Sequence, residues 1–262
     1  MFYSLKQLHR GKKRVSGRCN SGRVSIRHRG GGHKRSYHFV DFFRSIKKNY
    51  FFRVCGFKYD PNRTAFVAVL VSSSSKLGGK TEFHCILQPK GLVLDDFISN
   101  FSFQNFSNFL VGSSYPLSRI PVGGIIHNVE FHSKNGGQVA RAAGSFSQVI
   151  QKEKKVLLKL PSGQTAFFNS ASRCVFGSVG NEQHKLVRLV KAGRSRWLGR
   201  RPSTRGVAIN TNDHPHGGGE GKSQVGRHPV SPWGKLTKGK KTKKQNASLP
   251  KKKSKDSFAY SR

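Results

Sequence analysis

Forty consecutive residues, 205–244 (RGVAINTNDHPHGGGEGKSQVGRHPVSPWGKLTKGKKTKK), show neither the alternation of a half-buried strand nor the spacing of a helix. Such a stretch is not expected to gather a core of its own. It holds Gly217, Gly218, Gly219 and Gly221 around Glu220, three histidines (His214, His216, His228), and then a lysine run. Glycine lets backbone approach a partner closely, and successive exposed N–H groups can cradle an anion. With Lys222, Lys235, Lys238, Lys240 and Lys241 in the same stretch, the expected partner is a polyanion. The expected conformation is an extended arm ordered against folded RNA.

Charge extends this argument to the whole chain. The 262 residues carry 49 Lys and Arg against 11 acids, a formal charge of +38. Self-repulsion of that size points to a polyanion in the working state. The excess sits at the ends: +13 over residues 1–48 and +16 over 191–262, but only +9 over the 142 residues between. A modestly basic globular centre with two basic arms is expected. No run approaches the roughly 18 apolar residues of a membrane span. The acid-free first eighteen residues could serve as an organellar presequence or as an RNA-binding arm, and the second is the expectation. Cys19, Cys55, Cys85 and Cys174 are far apart. That spacing argues against a zinc site or a disulfide scaffold and for a reducing compartment.

Between the arms the pattern is β. Val24, Ile26 and His28 alternate with cations, the period of a strand, until Gly30, Gly31 and Gly32 interrupt it; His33, Lys34 and Arg35 follow. Further strands are expected over 36–43, 50–59, 64–71 and 81–87, with a turn at Asp60-Pro61-Asn62. These predict a five-stranded oligonucleotide-binding (OB-fold) barrel, with an up-and-down meander as the alternative. Residues 74–81 (SSKLGGKT) end like a phosphate loop but have Ser74 where the motif needs Gly, so a hairpin loop is expected. Residues 95–115 are rich in Phe, Asn and Ser without period and read as a link. Strands over 124–131, 138–143, 145–151, 155–160, 164–169 and 173–179 predict a second small, SH3-like barrel. Leu186, Leu189 and Val190 predict a helix over 181–192, with Asn181 as N-cap and Gly193 beyond its end. The fold class is therefore all-β. The expected divisions are a basic N-terminal arm (1–17), an OB-fold domain (18–94), a linker (95–116), an SH3-like barrel with a terminal helix (117–193) and an extended basic tail (194–262).

The chemistry-bearing residues favour RNA contact over catalysis. Asp213 beside His214, with Ser223 nearby, could form a triad on paper, but adjacent letters carry no triad geometry. His214, His216 and His228 lack the cysteine partners of a zinc site, so no metal or cofactor is expected. Stacking and hydrogen bonding on RNA suit the histidines better. The RNA-binding candidates of the first barrel are Arg23, Arg27, His28, Arg29, Gly30, Gly31, Gly32, His33, Lys34 and Arg35. Those leading into the tail are Arg194, Arg196, Trp197, Arg200, Arg201 and Arg205. Within the tail they are His214, His216, Gly217–Gly219, Lys222, Trp233, Lys235, Lys238, Lys240 and Lys241. Trp197 and Trp233 lie among cations rather than in apolar runs, which suits stacking on RNA and docking onto the protein body equally.

Several motifs together resemble the large-subunit ribosomal protein two family, in its bacterial-type branch. They are SGRVSIRHRGGGHKR (21–35), YDPNR (59–63), PKGL (89–92), IPVG and HNVE within 120–130, GGQVARAAG (136–144), and RGVAINTNDHPHGGGEG with PWGKLTKGKKT (205–242). The resemblance runs from about residue 16 to about residue 244. It implies the two barrels and a tail reaching toward an RNA-built peptidyl transferase centre. It also implies direct binding of large-subunit rRNA, neighbouring large-subunit proteins, and contact with the small subunit through an intersubunit bridge. RNA carries the chemistry, so no enzyme is implied. The first histidine of DHPH, His214, is implied to support the peptidyl transferase centre. A short N-terminal extension, the Phe-rich 95–115 region and the twenty phenylalanines depart from bacterial relatives. They fit a mitochondrial member, with a plastid or bacterial-cytoplasmic one as the alternative. The non-ribosomal alternative is a single-strand binder or RNA chaperone.

Overall fold

A computed structural model of the chain describes residues 8–44, 51–72, 83–100, 109–221 and 226–239. In chain order the strands are β1 (His9–Gly11), β2 (Ser36–His38), β3 (Phe51–Lys58), β4 (Val67–Ser72), β5 (Phe83–Leu87), β6 (Phe97–Ser99) and β7 (Ser114–Pro116). They continue with β8 (Ile125–His127), β9 (Val129–Glu130), β10 (Gly137–Val139), β11 (Ser147–Lys152), β12 (Lys155–Lys159), β13 (Thr165–Asn169) and β14 (Arg173–Phe176). One short helix, α1 (Ala192–Trp197), follows. The chain divides into two compact units. The first holds Arg35–Arg188 with the residues up to Lys12; the second joins Lys13–Lys34 to Leu189–Asn246.

The first unit contains both predicted barrels. Strands β5-β4-β3-β6 form one antiparallel sheet, and β13-β12-β11-β8-β14-β7 form another. The OB-fold sheet curls around β4, whose VAVL run is buried on both faces. Ala68 and Leu70 pack with Phe52, Val54, Ile86, Leu92 and Ile98 on one side. Val67 and Val69 pack with Leu8 and Cys85 on the other. A strand covered on both faces reads as a continuous apolar run rather than an alternation. In the SH3-like barrel the alternation is plain. Val156 and Leu158 point inward from β12, and Ala166 and Phe168 from β13, toward Ile126, Val149 and Leu117. The predicted turn at Asp60–Asn62 separates β3 from β4.

Residues 95–116, expected as a link, give an edge strand to each sheet: β6 lies beside β3, and β7 beside β14. Asn100 and Ser114 form a parallel bridge, and the Ser99 N–H donates to Ser113 Oγ at 3.0 Å. A polar seam accompanies this crossing. The buried Arg44 Nε donates to Asn100 Oδ1 at 3.0 Å, and the Gly137 N–H donates to Phe42 O at 2.8 Å. Burial lowers the Arg44 guanidinium to about 10, which leaves it a cation at neutral pH.

Two expected elements are absent. The helix over 181–192 is replaced by a 3-10 turn, Glu182–Leu186, followed by irregular chain up to α1. Leu186, Val187 and Val190 are all exposed, so their helical spacing has nothing to pack against. Asn181 is left-handed and caps nothing; its side-chain amide donates to Thr64 O instead, at 2.7 Å. The alternation through Val24 and Ile26 also forms no strand. Both side chains are exposed, and only single bridges, Arg18↔Val24 and Arg29↔Arg200, form there. His28 then turns the backbone at φ +58. The strand expected over 36–43 is confined to β2, and the one over 124–131 is interrupted at Asn128, φ +48. The 74–81 loop lies outside the described residues.

Candidate nucleic-acid interface

The second unit is assembled from segments about 160 residues apart in sequence. Residues 13–34 and 189–246 together hold 21 lysines and arginines against two acids, Asp213 and Glu220. Helix α1 is short and ends at Gly199, whose φ of +84 lets its N–H turn back to Arg196 O at 2.9 Å. The glycine loop then runs alongside this helix end. The Gly30 N–H donates to Gly199 O (3.1 Å), the His33 N–H to Trp197 O (2.9 Å) and the Arg201 N–H to His28 O (3.1 Å). His28 Nδ1 also lies 2.9 Å from Pro202 O.

These bonds give the triple glycine a packing role within the protein. Gly32, at φ +81, has no room for a side chain: an added Cβ would lie 2.7 Å from Gly199 N and closer still to Trp197 O. On the side where a Cβ would sit, its close partner is protein backbone. Gly31, at φ +63, faces open space. Arg14 Nη1 donates to Gly31 O at 3.2 Å and steadies the loop from behind. Gly30–His33 with Arg196, Trp197 and Arg201 line an open cleft of about 680 Å³.

The tail, too, is more ordered by itself than its composition implies. Among its described residues it has no strand, but a 3-10 turn at Gly206–Ala208 leads into turns closed on Asn210. The N–H groups of Asp213 and His214 donate to Asn210 O, Gly217 to His214 O and Gly218 to Ile209 O, all within 2.9–3.2 Å. His214 is buried, with its ring against Gly206, where an added Cβ would come within 2.6 Å of Nδ1. His214 Nδ1 accepts the His216 N–H at 3.0 Å, and His216 Nε2 accepts the Val230 N–H at 2.8 Å. Each accepting nitrogen must be unprotonated, which places the His214 proton on Nε2 and the His216 proton on Nδ1. The two rings stack 5.0 Å apart. Gly217 presses on the carbonyls of Ile209 and Asn210, and Gly218 on Thr211. The tail therefore supplies part of its own shape around the DHPH turn. Asp213 is exposed, and no bond joins its carboxylate to His214 among the described residues. Ser223 lies outside them.

The cations point outward. Arg23, Arg27, Arg29, Arg194, Arg196, Arg200, Arg201 and Arg205 are exposed, and none has a carboxylate partner among the described residues. His28, His33, Lys34, Lys235, Lys238 and Gly219 are exposed as well, while His216 is half-buried. Arg27 lies over the ring of the exposed Trp233 at 5.9 Å, and Lys191 over that of Trp197 at 5.0 Å. Arg35 stands apart, half-buried in the first unit, where its carbonyl accepts the Lys12 N–H at 3.0 Å. Lys222, Lys240 and Lys241 lie outside the described residues. Sequence reasoning missed Arg14, Lys191 and Gly199. The signal available for Gly199 was a lone glycine between Trp197 and two arginines, placed to end a helix.

Known proteins resemble this chain over most of its length. A family profile described as Ribosomal Proteins L2, RNA binding N-terminal domain, matches residues 5–100. A second, Ribosomal Proteins L2, C-terminal domain, matches residues 110–234. The chain is 48% identical over 241 residues to the large ribosomal subunit protein uL2 of Orientia tsutsugamushi (strain Ikeda), covering 92% of this chain and 85% of that protein. It is 46% identical over 247 residues to the uL2 protein of Wolbachia sp. subsp. Drosophila simulans (strain wRi), covering 94% and 86%.

Proposed function

The chain belongs to the ribosomal protein L2 family, in its bacterial-type branch, and from that premise we propose how it serves the ribosome. It is a structural, RNA-binding constituent of the large ribosomal subunit. In this proposal the second unit is the main rRNA-binding surface. The observation that carries it is the set of exposed arginines without carboxylate partners, held around backbone fixed by its own hydrogen bonds. Phosphates neutralise those charges with release of counterions, and Trp197 and Trp233 offer stacking faces.

The remaining assignments follow from the family. The DHPH turn, with His214 buried as its keystone, supports the RNA of the peptidyl transferase centre rather than acting as acid or base. The protein is not an enzyme, because the RNA performs the chemistry. An intersubunit bridge and neighbouring large-subunit proteins complete its partners. We assign it to the mitochondrial ribosome. Support comes from the alpha-proteobacterial origin of its relatives, the bacterial group from which mitochondria descend, and from the phenylalanine-rich composition.

Sedimentation of organelle extract tests these readings together, with the chain followed by mass spectrometry. The expected result is co-migration with large subunits in the mitochondrial fraction. A chain that stays at the top of the gradient, or spreads over unrelated RNA, would overturn the assignment.

A further inference from the structure

We propose that the cleft between the glycine loop and the end of α1 receives a single unpaired nucleotide of the bound RNA. Its base lies on Trp197, and its phosphate meets the Gly31 and Gly32 amides with Arg196 and Arg201. The inference rests on the rRNA-binding reading and adds the kind of RNA feature that the surface takes.

Four observations converge on one place. The cleft, about 680 Å³, is of a size that takes a small ligand. Among the described residues its only aromatic lining besides the His33 imidazole is the Trp197 indole, which is 57% exposed. The N–H groups of Gly31 and Gly32 have no acceptor among the described residues, whereas those of Gly30 and His33 on either side are both bonded. Two adjacent donors are thus left on a loop held rigid at both flanks, the preorganised arrangement that binds an anion at least entropic cost. Finally, two arginines line the cleft and, among the described residues, no carboxylate does.

Donors for one phosphate beside one large stacking face describe a nucleotide rather than a length of backbone. A base inside an A-form duplex has both faces covered by its neighbours and cannot lie on an indole; a bulged or looped-out base can. Paired RNA would use the same arginines without reaching Trp197. An acidic peptide would satisfy the donors but leave the indole unused.

Fluorescence titration of the full chain tests this. The chain has two tryptophans, so a Trp233→Phe background makes Trp197 the only indole. Three RNA hairpins serve as probes: one with a single-nucleotide bulge, the same with an abasic bulge, and a fully paired one. The intact bulge is expected to quench Trp197 and to bind about tenfold tighter than the paired hairpin, the scale of one base–aromatic stack. The abasic bulge should lose the quenching. Trp197→Ala should abolish the preference for the intact bulge, and Trp197→Phe should keep most of it. Arg201→Gln should weaken intact and abasic bulges alike. Equal quenching by intact and abasic bulges would reduce the cleft to a phosphate site and overturn the proposal. Retention of the preference in Trp197→Ala would overturn it too, as would equal quenching by a polyglutamate peptide. If the chain also sediments with large subunits, the ribosomal reading survives such a failure; if it does not, the ribosomal reading fails on its own account.

Discussion

Gly31 and Gly32 provide a matched pair of perturbations one residue apart. Both sit at positive φ, +63 and +81, so an alanine at either costs roughly 1–2 kcal/mol for adopting a left-handed conformation. For Gly31→Ala that is the whole cost, because nothing lies within 4 Å of the new Cβ. For Gly32→Ala the Cβ meets Trp197 O and lies 2.7 Å from Gly199 N. Those are backbone atoms, which cannot swing aside as the end of a side chain can. Overpacking of this kind adds about 1–3 kcal/mol. The two variants should therefore differ by about 5- to 150-fold in the opening of the loop, since each 1.4 kcal/mol is about tenfold. Amide hydrogen exchange of the full chain reads this directly. Gly30, His33 and Arg201 donate the three bonds that tie the loop to the helix end, and their protection should fall far more in Gly32→Ala than in Gly31→Ala. Equal loss in both variants would refute the close-packing argument.

Other consequences can be checked separately. Burial lowers His127 to about 4, against roughly 6.5 in an unfolded chain. The unfolded state then binds the extra proton between these values, so stability is intact above about pH 6.5 and is lost as pH falls toward 4. The loss is about 3 kcal/mol, with the buried His38 acting in the same sense; denaturant midpoints that stay flat from pH 7 to 4.5 would contradict this. His214→Ala and Gly206→Ala, made on either side of the same contact, should each deprotect the amides of residues 213–218 and lower translation while both barrels melt as before. Unchanged translation in both variants would remove the DHPH turn from the functional surface. Arg196→Gln and Arg201→Gln should each reduce the slope of log affinity against log salt by about 1; an unaltered slope would show that those arginines meet no phosphate.

How far residues alone could carry the argument depended on the distance over which they act. Alternation on β12 and β13 between turn-forming residues marked the SH3-like barrel correctly, because adjacent strands there pair through short hairpins. The same signal failed at Val24 and Ile26, and the helical one at Leu186–Val190. In each case the spacing was right but no surface exists to bury it. β6 and β7 could not be read from an aperiodic Phe/Asn/Ser stretch, since three-residue edge strands are defined by the sheets they join. The basic, glycine-rich segments stand out from charge alone. That Gly30 and His33 would bond to Gly199 and Trp197 was not legible, because nothing local couples positions so distant in the chain. Nor did composition reveal that Gly206 packs on His214, or Gly217 and Gly218 on Ile209–Thr211, since a glycine that admits protein and one that admits phosphate look alike as letters.

The central claim is that a surface built from both ends of the chain, rather than the outer faces of the sheets, meets the RNA. Ultraviolet cross-linking of intact large subunits, with mass-spectrometric assignment of the RNA-bearing peptides, addresses it most directly. The account predicts that cross-links concentrate in residues 13–34 and 194–239, with Trp197 and Trp233 among the attachment sites. Cross-links confined to the strands of the two barrels, with none in those stretches, would contradict it.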